Sequence, residues 1–277
     1  MLRQQEMAVI SSMPSLSHLP NAEEALDYCR SVKTRRRTQF LIDPAQIAKL
    51  REWHETPNAF PVLVAYCRGL HNTARDVGVE FIDTVRASGI PAIWVLSEGP
   101  SEGGEEFSLR DVLLSLAMQA LMVNPKAFTE GVYPISSHHF QHSLTEDQCF
   151  SLLGRCLRGV SRMYILLSMP AINAAVGYHG SLATAFIQRL LKILLSQPAR
   201  AIKLTVMAED FGEDFDIEHE VLEESQLFVV GQTPGPLKRK GARRGFTRYS
   251  SHCFPLRAGT KGITDWLSTD GNSSQEN

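Results

Sequence analysis

Four short apolar runs constrain this chain most. Residues 62–67 (VLVAYC), 90–96 (IPAIWVL), 163–169 (MYILLSM) and 201–208 (AIKLTVMA) are apolar at successive positions, too short for buried helices, and supplied with β-branched residues. Runs of this kind read as strands covered on both faces. Between them the period changes. Val77, Phe81, Ile82 and Val85 recur at helical spacing, and Gly89 ends that segment. Ser108 is a helix cap with Asp111 at the third helical position, followed by Leu113, Leu116, Ala117, Ala120 and Leu121 on one side. Thr145 opens another helix, expected to run to about residue 160, and residues 182–195 form a strongly apolar one. Strand, loop, helix and strand between residues 62 and 96 make a βαβ unit with parallel strands.

The alternation predicts an α/β fold: a three-layer domain over residues 55–231, with a mostly parallel sheet flanked by helices and residues 227–230 (LFVV) as a fifth strand. Residues 1–54 read as a helical extension. Asn21 caps one helix there, and Pro44 opens another whose Ile47, Leu50 and Trp53 share a face. The Ser- and Pro-containing stretch around residues 11–20, ahead of them, suggests a mobile terminus. Residues 232–277 form a basic, Gly/Pro-rich tail that is expected to be disordered.

Charge and cysteine usage narrow the class. Lys plus Arg total 28 against 30 Asp plus Glu, a formal charge of −2, so a general polyanion-binding surface is not expected. The five cysteines, an odd number without a C-x-x-C pair, read as buried free thiols of an intracellular protein, cytoplasmic or nuclear. The N-terminus lacks a continuous apolar signal core, and no apolar stretch approaches the length of a membrane span. No membrane partner is expected.

The loop after the first strand carries the functional reading. Gly69, Leu70, His71, Asn72, Thr73, Ala74, Arg75 and Asp76 keep the spacing of G-x-x-x-x-G-K-[ST], with a buried strand before it and a helix read from near Val77 after it. Here the chain resembles a P-loop NTPase domain, most like the fungal STAND or NACHT-type signalling ATPases. The order of elements through residue 208 and the wording of residues 108–124 (SLRDVLLSLAMQALMVN) carry the same resemblance, which spans about two thirds of the chain.

It implies a phosphate site at Gly69, His71, Asn72, Thr73, Ala74, Arg75 and Asp76, in vestigial form. Ala74 resists the positive φ that a glycine adopts to bring its N–H to an oxyanion. Arg75 replaces a compact ammonium with a planar fork. Asp76 puts a carboxylate at the helix N-terminus, where it satisfies the dipole meant for phosphate and repels a triphosphate. The strand that should end in a metal-supporting Asp ends in Ser168, followed by Met169 and Pro170, and the later strand ends in Ala208, Glu209 and Asp210.

The combined changes predict a pseudo-NTPase: a non-catalytic interaction or regulatory module with a protein partner, no catalytic residue, no metal and no cofactor. A surviving nucleotide-binding protein or weak ATPase, taking ATP on the altered loop, is the alternative. A third reading is a nuclear accessory protein binding nucleic acid through Lys238, Arg239, Lys240, Arg243, Arg244 and Arg248, with Phe246 and Tyr249 offering stacking. Against metal chemistry, His138, His139 and His142 have no adjacent Cys or acidic ligand. Asp214, Asp216 and Glu218 alternate as in a calcium loop, but His219 stands where the turn needs Gly.

Overall fold

A computed structural model describes residues 2–36, 40–41, 44–56, 62–68, 73–97, 107–129, 134–140, 144–197, 202–209 and 227–232. The four apolar runs are strands: β2 (Val62–Arg68), β3 (Ala92–Val95), β4 (Met163–Ser168) and β5 (Ile202–Glu209). A two-residue β1 (Phe40–Leu41) and a fifth long run, β6 (Leu227–Gln232), complete a six-stranded sheet of order β1-β6-β2-β5-β4-β3. Every pairing is parallel except β1 with β6. The described helices are α1 (Leu2–Ser11), α2 (Ala22–Arg36), α3 (Pro44–Glu55), α4 (Thr73–Ala87), α5 (Leu109–Val123), α6 (Glu146–Cys156), α7 (Met169–Ala175) and α8 (Gly180–Ser196).

Strand alternation sorts the side chains into two cores. Val62, Val64, Ile93, Val95, Ile165, Leu167, Leu204 and Val206 pack with α1, α5, α6, α7 and α8. Their neighbours in sequence, Leu63, Ala65, Cys67, Trp94, Tyr164, Leu166 and Met207, pack with α2, α3 and α4. The period of two thus gives each central strand one set of residues per core, which is why these strands are apolar throughout. Three layers result.

Helix α4 lies close on the sheet because Gly78 has no side chain. A Cβ there would come within 3.2 Å of Leu96 and 3.4 Å of Leu166. On its outer side α2 holds it through Lys33 Nζ to Glu80 Oε1 at 3.0 Å and Arg30 Nε to Asp83 Oδ1 at 3.1 Å.

The N-terminal segment differs from its expected mobile character. Ile10, Met13 and Leu16 are buried in the α5–α8 core, while Leu26, Cys29, Ile47, Leu50 and Trp53 belong to the α4 core. His18 Nε2 meets Asp111 Oδ1 at 3.0 Å, fastening the α1–α2 connection to the start of α5. At that start the capping box is complete: Ser108 Oγ accepts from the Asp111 N–H, and the Asp111 carboxylate accepts from the Ser108 N–H. Burial raises the Asp111 pKa, but hydrogen bonds from Ser108 and His18 outweigh it and hold the carboxyl below its ordinary range. Thr145 and Gln148 form the same box on α6, which ends at Cys156 with Leu157 as its cap, short of the expected residue 160.

Candidate functional site

In open parallel sheets, ligands bind beyond the carboxyl ends of the strands, where adjacent connections leave toward opposite faces. Strand β2 leads into α4 on one face. The connections after β3 and β4 carry α5 to α8 on the other. The crevice next to the end of β2, bordered by β5 and then β4, is therefore where this fold places a site.

The loop residues Gly69, His71 and Asn72 lie outside the described residues. Thr73, Ala74, Arg75 and Asp76 are described, and they are helical. The sequence places the helix start near Val77, whereas α4 begins four residues earlier, at Thr73. Ala and Arg are good helix formers, and an acidic residue in the first turn complements the helix dipole. All four are buried. Arg75 is 5% exposed, and its Nε lies 3.6 Å from Asp76 Oδ1, an ion pair longer than a hydrogen bond. Two guanidinium nitrogens of Arg75, Nε and Nη2, are buried without a hydrogen-bond acceptor.

The strand ends complete the crevice. Ser168 closes β4 on the α4 side, in register with Met207, and its buried Oγ makes no hydrogen bond; neither does Thr205 Oγ1 further down β5. No carboxylate ends β4. Cys67 and Glu209 are register partners at the ends of β2 and β5. Burial, with the Glu209 charge adding to it, pushes the Cys67 thiol well above its ordinary pKa, so it stays protonated and is a poor nucleophile. Alternation turns Ala208 into the other core and leaves Glu209 on the α4 side. The sequence already puts Glu209 at the end of this strand; the period of two along β5 is the signal that assigns it to the α4 side.

A second polar cluster lies at the opposite end of the sheet. Lys203, 4% exposed, donates from Nζ to Thr56 O at 2.9 Å, just past the end of α3, and stands 5.1 Å from the centre of the Trp53 ring. Arg162 Nη2 donates to His54 Nε2 at 2.6 Å. A guanidinium can only donate, so Nε2 is an acceptor, and the proton of the neutral ring is assigned to Nδ1, facing the Tyr164 hydroxyl. Burial, reinforced by the Arg162 charge, lowers the Lys203 pKa to about 8. Burial raises that of Tyr164 against the opposing effect of Arg162. These groups secure the C-terminus of α3 to β4 and β5. They line the amino ends of the strands, away from the crevice.

The remaining expected features separate. Cys29, Cys67, Cys149 and Cys156 are buried free thiols, and burial takes Cys156 up to a pKa of about 12. His138 and His139 lie on a short 3-10 turn (Ser137–Phe140), where His139 Nδ1 accepts from Ser136 N–H at 3.2 Å. His142 falls outside the described residues. Among the described residues, no three His, Cys, Asp or Glu side chains gather as metal ligands, and no helix is long and apolar enough to cross a membrane. The basic residues Lys238, Arg239, Lys240, Arg243, Arg244 and Arg248, and the acidic Asp214, Asp216 and Glu218, also fall outside the described residues. No protein-family model matches the chain, and no match is found among curated proteins or solved structures.

Proposed function

We propose that this chain is a pseudo-NTPase module: a P-loop-like α/β domain of the STAND or NACHT type that serves in protein interaction or regulation without hydrolysing nucleotide. One observation carries the reading. Strand β2 is followed by helix α4, the order that a phosphate site uses, and the positions that the resemblance would assign to a metal–triphosphate hold Asp76, buried in the first turn of α4, and Ser168 at the end of β4. A carboxylate at a helix start satisfies the dipole that phosphate would need. A serine hydroxyl supports Mg²⁺ far less well than a carboxylate. Steady-state ATP turnover by the full chain tests this: activity at background is expected, and magnesium-dependent turnover that disappears in Arg75→Ala would sink the proposal.

A second reading, a nucleotide binder, is favoured by two particular groups. Arg75 keeps two buried N–H groups without an acceptor at the start of α4, and Glu209 stands at the end of β5 on the same layer. Binding of ATP that weakens on Glu209→Gln as well as Arg75→Ala would favour it over the first.

A further inference from the structure

Lys203 is the most deeply buried cation of the cluster at the amino ends of the strands, and the nucleotide readings make no use of it. Its Nζ donates to Thr56 O at 2.9 Å and lies 5.1 Å from the centre of the Trp53 ring. An ammonium has three N–H donors, and a buried one is costly to keep charged without a counter-charge. Among the described residues, the charge that acts on this amine is a second cation, Arg162. Arg162 lies two residues before Tyr164, the register partner of Lys203, and the strand period of two sets both cations on the α3 face of the sheet. On that face α3 adds His54, β4 adds the Tyr164 hydroxyl, and β2 adds the apolar Leu63. The α3 carboxylates Glu52 and Glu55 are exposed.

Burial beside a like charge favours the neutral amine, and a pKa of about 8 leaves about half of it unprotonated at pH 8. An ordinary lysine is less than roughly 1% unprotonated at that pH. The amine lies just under the surface, since Thr56 and Arg162, on either side of it, are both exposed. A reagent that suits this place is small, reacts with a neutral amine, and leaves an anion where two cations now repel. Carbon dioxide meets all three conditions.

We propose that Lys203 is a carbamate site: its amine takes up CO₂, and the carbamate pairs with Arg162. The nitrogen lone pair forms a C–N bond to CO₂, one C=O electron pair moves onto oxygen, and one N–H proton leaves to solvent. No oxidant or further reactant is needed. The product, –NH–COO⁻, keeps an N–H for the Thr56 carbonyl and presents two oxygens to the guanidinium. A guanidinium has five donors, so Arg162 serves the carbamate without giving up its bond to His54. A repelling pair becomes an ion pair that ties the C-terminus of α3 to β4 and β5. Acylation of the same amine would give a neutral amide and leave Arg162 without an anion. The proposal is independent of the nucleotide reading.

The test uses the full chain with isotopically labelled bicarbonate as the source of CO₂. A trialkyloxonium salt traps any carbamate as its ester, and peptide mapping by mass spectrometry locates it. The wild type is expected to carry the trapped group on Lys203 at pH 8. Occupancy should rise with pH at fixed dissolved CO₂, because the neutral amine reacts and a proton is released. Lys203→Met should lose the corresponding carbon resonance while keeping any carbamate of the α-amino group. Arg162→Gln should lower occupancy about tenfold, as suits the loss of a charge-assisted contact, and Arg162→Lys should restore most of it. No trapped group on Lys203 of the wild type at pH 8 overturns the proposal. That outcome is read on the native chain, so it does not depend on whether a variant folds. Occupancy unchanged in a folded Arg162→Gln also overturns it, because Arg162 would then not be the partner. So does equal labelling of exposed lysines, because Lys203 would then have no special reactivity.

Discussion

Lys203 and Gly78 show how single residues set the limits of this fold. The folded Lys203 holds its proton less tightly than the unfolded chain: burial brings its pKa to about 8, against an ordinary 10.5. Between those values the unfolded state binds more protons, so the Lys203 contribution to stability rises with pH. Cys67, Cys149 and Cys156 act the other way, since their folded pKa values are raised and they lose stability once unfolded thiols ionise near 9. The Lys203 effect therefore shows as a difference. From pH 7 to 9.5 the wild type should gain melting temperature relative to Lys203→Met, and parallel curves would remove the buried-amine account. Gly78 makes a steric prediction: Gly78→Val must displace Leu96 and Leu166, and denaturant unfolding should show a loss of about 1–3 kcal/mol. The position of Arg75 and Asp76 after the first strand was legible in the sequence. Their burial was not, because burial depends on how closely Gly78 lets α4 approach strands far away in the chain.

At the scale of elements, continuous apolar runs are the strongest local signal, and they located β2, β3, β4 and β5 with both faces covered. Leu166 tests that assignment. It is 1% exposed in a strand flanked by β3 and β5, with its side chain against α4. Leu166→Asp should cost more than about 4 kcal/mol, because the carboxylate would lose water without gaining a partner; a soluble variant with a cooperative, near-normal melt would contradict it. The cap of α5 makes a smaller claim, and Ser108→Ala should lower stability by about 1 kcal/mol in chemical denaturation. Helices α1 and α7 and the two-residue β1 escaped the reading. Among the described side chains of α1 the deeply buried apolar anchor is Ile10, at its end, and α7 follows β4 without any loop, so an apolar run continues across the boundary. The two capping boxes, by contrast, are written in adjacent residues, and the sequence carries them plainly.

For the whole molecule, the sheet order decides where chemistry can occur, and order is a long-range property. Residues of β2 meet those of β4 and β5 at one crevice although about a hundred residues of chain, roughly the length of a small domain, separate β2 from β4. The alternation of strands and helices announced a parallel sheet; that β5 sits between β2 and β4, bringing Glu209 beside Cys67, follows only from the pairing. We propose that this crevice keeps the order of elements of a phosphate site without its binding chemistry. Losing two or three charge-assisted contacts of about 1.5–3 kcal/mol each moves a micromolar site to millimolar or weaker. Isothermal titration of the full chain with ATP, with and without Mg²⁺, measures this directly. No saturable heat is expected at sub-millimolar nucleotide in either condition, and magnesium-dependent binding with a Kd below about 100 μM would contradict the proposed loss of phosphate-binding chemistry.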